Sequence, residues 1–377
     1  MARRNFRIVS VLILMLATIL AGRQLWQTPH LPRATTTLAI ATAPDTTITN
    51  PSDRPMTAGG AVLLDSTAHE LRAGGNAASD RARLQSLAIQ LAVLGRESAV
   101  ATIREFLTVG TDAPTRLGFT LSNDGLLTGA PTLRVFLLDL LERLDRDAAA
   151  DMAKTILATP GSADEWAISL RSLARGRPEE TDLLAWKLRE LFHNEAWRTS
   201  PSSGWLEAFD VAVYLGGNGF VPDLSELMRP ANGLTLNHAA YLALDRLVSR
   251  EPVKVLADLL ETPDLLVGRE ASRAGMFARA ELQDPNQRML LERYMLDPAR
   301  TAAELDAFAG VYPNANGFVS ANLLTTTSAS NLEGSRQHDF VALAVVEGWI
   351  GDPRFARVRP QLERMRARLA EFSTRKP

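Results

Sequence analysis

The sequence contains no cysteine, and that absence alone excludes several kinds of site. Disulfide frameworks, thiol nucleophiles, cysteine-based zinc sites and iron–sulfur clusters all need a cysteine thiol. A bacterial lipoprotein anchor, which is attached through cysteine, is excluded as well. The composition is still compatible with export, because an exported protein of this size can fold without a disulfide framework.

Histidine is also scarce, and catalytic motifs are missing. No two histidines stand at the helical spacing of a zinc site, so we predict no metal and no cofactor. The sequence has no G-x-S-x-G, and the glycine run 216–219 lacks the lysine of a phosphate-binding loop. We therefore predict that the protein is not an enzyme. The five histidines are His30, His69, His193, His238 and His338.

Aromatic residues make up only 6% of the chain, whereas 46% is hydrophobic and rich in alanine and leucine. This composition favours helix over sheet. The net charge is −2, and the first 27 residues carry four arginines and no acid, so the rest of the chain is more acidic. A mildly acidic body argues against nucleic acid as a partner.

The N-terminus has the pattern of a signal anchor. Arg3, Arg4 and Arg7 precede an uncharged apolar run from Ile8 to Gly22. We interpret residues 1–27 as a signal anchor or signal peptide, with the membrane contact at 8–22. The charge rule then places a single-pass protein in the bacterial inner membrane with its C-terminal body in the periplasm. Cleavage and release into the periplasm is the alternative.

Residues 28–75 are rich in threonine, proline and alanine, and their sparse apolar residues cannot offset the entropy of ordering. This range is predicted to be a flexible tether, with Ala61 to Leu71 as a possible first short helix. The helical pattern begins near Ser79-Asp80, a favourable N-terminal cap. Residues 76–377 are therefore predicted to form an α-helical repeat domain.

A pattern of one leucine, one turn residue and a following apolar stripe recurs without gaps. In the first copy, Leu94-Gly95 is preceded by Leu87 and Leu91 and followed by an apolar stripe from Val100 to Leu107. Such recurrence indicates repeated helix pairs. The other copies begin at Leu144-Asp145, Leu215-Gly216 and Leu247-Val248.

Looser helix pairs fill the gaps, and one of them turns at Gly351-Asp352-Pro353. Paired helices joined by Leu-Gly or Gly-Asp-Pro turns resemble HEAT-type repeats over residues 79–372. The resemblance implies an all-α fold, a right-handed α-α superhelix of about seven helix pairs. The copies are unequally spaced and none carries the full family pattern, so another helical array or an irregular helical domain is the alternative.

Two insertions, residues 109–130 and 310–337, interrupt the repeats, and Phe318 to Thr327 could form a short strand. Insertions in repeat proteins often gather on the binding face, although a plain surface loop is the commoner outcome. Acidic pairs such as Asp139 with Glu142 are interpreted as charged helix faces. The cluster Trp197, Trp205 and Tyr214 is interpreted as core between repeats rather than a groove.

The arginine-rich C-terminal segment is interpreted as an amphipathic capping helix, with contact to an anionic membrane surface as the alternative. Helical-repeat surfaces usually bind proteins, so we predict a membrane-tethered scaffold for proteins or peptides. The alternatives are an envelope enzyme, or its accessory subunit, with a site built by the insertions, and a carrier of an apolar ligand. Convergence of Asp112, Arg116, Tyr312 and Asn316 in one cleft would favour the enzyme.

Overall fold

The computed structural model describes residues 58–314, 320–326 and 332–374. The predicted anchor at 1–27 and the tether residues 28–57 lie outside this part of the chain. The described residues belong to one compact unit. Within the described ranges, no helix has the length and apolarity needed to span a bilayer.

The described residues are all-helical apart from one short antiparallel hairpin, β1 (Thr120–Leu121) with β2 (Leu127–Gly129). Two 3₁₀ segments, Pro230–Asn232 and Pro353–Val358, join helices. The helices are α1 Ala58–Ala73, α2 Ala77–Val93, α3 Arg96–Val109, α4 Leu133–Leu144, α5 Arg146–Leu157, α6 Ala163–Gly176, α7 Thr181–His193, α8 Glu195–Thr199, α9 Ser203–Glu207, α10 Asp210–Leu215, α11 Val221–Leu227, α12 Leu234–Arg250, α13 Pro252–Glu261, α14 Glu270–Phe277, α15 Pro285–Leu296, α16 Ala302–Val311, α17 Leu332–Gly351 and α18 Arg359–Thr374.

The helices pack as a two-layer array, which is consistent with a helical repeat. Most helices contact the next helix along the chain, and many also contact the next but one. One layer therefore contains α2, α4, α6, α10, α12, α14 and α16, and the other contains α1, α3, α5, α7, α11, α13 and α15. Burial of the facing apolar stripes makes one continuous core, because a single helix pair cannot cover its own apolar face.

The recurring pattern marks real helix–turn–helix joints. Leu87, Leu91 and Ile103 around the first turn are at most 1% exposed. Gly95 lies at φ 81°, a left-handed conformation that suits glycine at a helix end. The turns after Leu144 and Leu215 also end their helices as expected.

Two local expectations need correction. The fourth turn is at Glu251 rather than Val248, because Pro252 occupies the first position of α13 and Val248 remains inside α12. The cap of α2 is Asn76 rather than Ser79. The Asn76 side chain accepts a hydrogen bond from the Ser79 N–H, and the Ser79 hydroxyl accepts one from the Asn76 N–H, which is a reciprocal capping box.

Helix α1 occupies the end of the range assigned to the tether, 28–75. Its Leu64, Ala68 and Leu71 are spaced for one helix face and are at most 1% exposed. The first insertion contains the β1–β2 hairpin. In the second insertion, residues 310–311 and 332–337 belong to α16 and α17, so the break in the helices is shorter than predicted. Residues 320–326 form neither helix nor strand, so the strand considered for 318–327 is not formed over that part, and residues 315–319 and 327–331 lie outside the described chain.

Candidate functional site

A row of buried ion pairs runs along one helix layer, from α4 through α6, α10 and α12 to the turn after α14. In each pair, a carboxylate on one helix accepts hydrogen bonds from an arginine further along the chain, either on a following helix of the layer or, for Arg279, in the turn after α14. The residue spacings of three pairs, 32, 36 and 34, are close to one repeat length. We call this row the ion-pair ladder: Asp139, Glu142, Arg171, Arg175, Asp210, Asp245, Arg246 and Arg279.

The first level of the ladder joins α4 to α6. Arg171 is 0% exposed and donates to Asp139 Oδ1 at 2.7 Å and to Glu142 Oε2 at 3.0 Å. Arg175 and the Ser172 hydroxyl also donate to Glu142, and these partners hold its carboxyl pKa below the usual range despite burial. Asp139 and Glu142 are therefore buried partners and not the solvated helix face predicted from the sequence.

The first insertion binds this level through backbone atoms. The Leu127 N–H donates to Asp139 Oδ1 at 3.0 Å. Arg171 donates to the Gly125 carbonyl oxygen at 2.6 Å, and Arg175 donates to that of Asp124 at 2.6 Å. The hairpin thus lies against α4 and α6, and the ladder supplies partners for backbone groups that would otherwise be buried unpaired.

The second insertion binds the next level in the same way. The N–H groups of Leu324 and Thr325 both donate to Asp210 Oδ2, at 2.6 and 2.9 Å. Arg246 donates to Asp210 and to the Asn322 side-chain oxygen. Residues 320–326 are therefore held by the Asp210 carboxylate, which accepts hydrogen bonds from two consecutive amides, and by Arg246 beside it.

The two insertions meet on this face. Arg175 donates to the carbonyl oxygens of both Asp124 and Leu323 and so bridges them. Gly125 lies at φ 75°, and a Cβ atom there would overlap the Leu323 carbonyl oxygen and lie 2.8 Å from that of Asn322. Glycine is required at this contact both by conformation and by space.

The third level joins Asp245 to Arg279, which donates to both carboxylate oxygens. Arg279 also donates to the Asn314 carbonyl oxygen, so residues at the start of the second insertion bind the ladder as well. Burial raises the pKa of the Asp245 carboxyl. Burial, and then the charge of Asp245, raise the pKa of the neighbouring Tyr241 hydroxyl.

Glu207, at the end of α9, is an unusual carboxyl beside the ladder. Burial, and then the nearby charge of Asp210, raise its pKa to about 7, although Arg246 opposes the shift. A half-buried carboxyl that titrates near neutral pH can act as a proton donor or acceptor. It is the one feature of this face that favours the enzyme alternative.

Convergence of four residues in one cleft would favour the enzyme alternative. The three of them that the structure describes do not meet. Asp112 accepts from the Arg134 N–H, and Arg116 pairs with Asp80 near α1 and α2. The buried Tyr312 hydroxyl instead donates to the Ala280 carbonyl oxygen, at the other end of the array. Asn316 lies outside the described residues.

The aromatic cluster is core. Trp205 is 0% exposed and donates its indole N–H to the Leu191 carbonyl oxygen. Trp197 packs edge-to-face on Trp166 at 5.3 Å, and the half-buried Tyr214 donates to the Ala174 carbonyl oxygen. Trp205 fills core space between helices, and the half-buried Trp197 and Tyr214 pack against that core.

The histidines do not build a metal site in the described ranges, where no group of three metal-ligating side chains is found. His193 is exposed and bonds to the Arg189 carbonyl oxygen, and His338 contacts Asp339. The C-terminal helix α18 buries Leu362, Met365 and Leu369 completely, as a capping helix should.

A shallow hollow of about 460 Å³ lies between α13, α15 and the second 3₁₀ segment. Its wall combines Leu260 and Met289 with the charged Glu292, Arg293 and Arg354. An apolar ligand needs an enclosed apolar cavity, and this open, charged hollow is not one.

The ion-pair ladder was not predicted from the sequence. Two further arginine–glutamate ion pairs, which share one residue spacing, were not predicted either. Arg134 binds both oxygens of Glu165, and Arg273 binds both oxygens of Glu304, each pair separated by 31 residues. Each glutamate stands three residues after a serine or threonine cap. The S/T-x-x-E capping motif can be read from the sequence. In both copies its glutamate follows the partner arginine by 31 residues, and this equal spacing was the available signal.

The chain was compared with known protein families, curated proteins and solved structures, and none of them matches it.

Proposed function

We propose that the protein is a membrane-tethered, exported helical-repeat scaffold of HEAT-like superhelical type, and that it binds segments of other proteins on the ladder face. The ladder face consists of the ion-pair ladder and the two insertions held on it. The cell-envelope location is supported by the arginine lead and apolar run of residues 1–27.

One observation supports the binding role most directly. The ladder already holds polypeptide without regular secondary structure, and it does so largely through backbone atoms. Every polypeptide carries the same amide and carbonyl groups. A surface that satisfies them with arginines and a carboxylate is suited to hold a segment from another chain.

Photo-crosslinking in native membranes tests the proposal. A photoreactive residue replaces Asn123, which is exposed in the first insertion at the edge of the ladder face. A matched control replaces Thr108, which is exposed on α3 in the other layer. Discrete protein adducts from position 123 and none from 108 are expected. Absence of adducts at 123, or the same adducts at both positions, would contradict a binding role for this face.

The enzyme alternative depends on Glu207. It predicts that turnover of a substrate is abolished by Glu207→Gln while adduct formation at position 123 continues.

A further inference from the structure

The second insertion makes contacts of a kind that a separate peptide could make. Its partners on α6 and α10 are 148 and 114 residues away in sequence, so local chain geometry does not force the contact. The recognised backbone groups, Leu323 C=O, Leu324 N–H and Thr325 N–H, belong to three consecutive residues.

Side chains add a sequence preference to these backbone contacts. Leu323 is 0% exposed, so an apolar side chain is buried at this position. The Asn322 side chain binds Arg246 and donates to the Thr325 carbonyl oxygen, which holds the bend of the segment. The Thr325 hydroxyl contacts both Asp210 and Arg246. Leu324 is half-buried against the core, so the preferred pattern is asparagine, two apolar residues, then threonine.

We propose that the ladder face between α6, α10 and α12 is a peptide-binding site of this specificity, and that residues 320–326 occupy it in cis until a partner segment displaces them. This inference rests on the proposed scaffold function and names the chemistry of its partner. A tethered segment competes at an effective concentration of roughly millimolar, so the cis occupant weakens the apparent affinity of any partner.

A synthetic peptide tests this directly. The labelled, end-capped peptide SANLLTT, which copies residues 320–326, is titrated into the full-length chain and into the double variant Leu323→Ser, Thr325→Ala. The double variant weakens only the cis occupant, so it is expected to bind the peptide at least tenfold more tightly. Thr325→Ala alone is expected to give a smaller gain, and circular dichroism checks that both variants retain the helical fold.

Site specificity is tested in the double-variant background. Asp210→Asn removes the charge that accepts two amides and is expected to weaken peptide binding at least tenfold, as is aspartate in place of the Leu323 equivalent in the peptide. Asp182→Asn, at an exposed carboxylate on α7, is the matched control and should change nothing.

The proposed specificity would be overturned if the single and double variants bound the peptide no more tightly than the wild type does. It would also be overturned if the aspartate-substituted peptide bound as tightly as the original peptide. Adducts at position 123 without any peptide binding would overturn this inference and leave the scaffold function standing. Absence of both would overturn both.

Discussion

Replacement of Glu207 by glutamine tests the electrostatics of the ladder face. Glutamine keeps the size of the side chain and removes its titration. Burial, and then Asp210, raise the Glu207 pKa to about 7, whereas a glutamate in the unfolded chain titrates near its ordinary value. The folded state therefore holds this proton more tightly. The stability it contributes is fully present below the unfolded pKa and is lost as pH rises through about 7.

The size of the effect follows from the shift. Each pKa unit corresponds to about 1.4 kcal/mol, so a rise of the Glu207 pKa from 4.5 to about 7 sets an upper limit of roughly 3.5 kcal/mol. Glu207 retains some exposure, so water screens part of this cost. We expect wild-type stability relative to Glu207→Gln to fall by ~1–2 kcal/mol between about pH 5 and about pH 8.

Urea unfolding followed by circular dichroism at several pH values measures this difference. Glu195→Gln, at an exposed position on α8, is the control and should follow the wild type at every pH. Because the other carboxyls titrate in both proteins, the difference between the two free energies of unfolding isolates the contribution of Glu207. A Glu207→Gln curve parallel to that of the wild type from about pH 5 to about pH 8 would refute the raised pKa.

Three further predictions concern the ladder and its architecture. Arg171→Met removes the buried arginine shared by Asp139 and Glu142, which then keep only the half-exposed Arg143 and the partly buried Arg175 as charged partners, and should cost ~2–4 kcal/mol in urea unfolding, against under ~1 kcal/mol for the exposed Arg354→Met; equal costs would contradict the buried pairing. Gly125→Ala should separate the insertions and raise amide hydrogen exchange across residues 320–326; unchanged exchange would contradict their contact. Glu165→Gln and Glu304→Gln should each destabilise by ~1–3 kcal/mol and act additively in the double variant; non-additivity would show that the two pairs are coupled.

The helix pairs were predictable because helical periodicity is a local property. Leu87, Leu91 and Ile103 are read from one short stretch and are buried as the period requires. The turn at Glu251 was misplaced because Leu247 and Val248 are equally apolar there, although Pro252 carried the correct signal. The repeat pattern thus predicted that helix–turn–helix joints exist, but it did not fix the residue at which each turn lies.

The ladder was not predictable in the same way. Asp139 and Glu142 sit three residues apart on α4, as any solvated helix face could have them. Their burial depends on where α6 places Arg171 and on the hairpin that covers them, and both are relations between distant segments. Only the recurrence of acid-to-arginine spacings near one repeat length hinted at the pairing.

The ladder is hard to explain as a stability device alone. Buried ion pairs lose so much hydration that well-packed apolar residues often stabilise a core as well or better. Yet charged pairs occur at three successive levels, and at each level they bind backbone atoms of an insertion. An apolar core could not satisfy those amides and carbonyls. The charges are therefore best understood as the means by which this helix layer holds the irregular polypeptide of its two insertions.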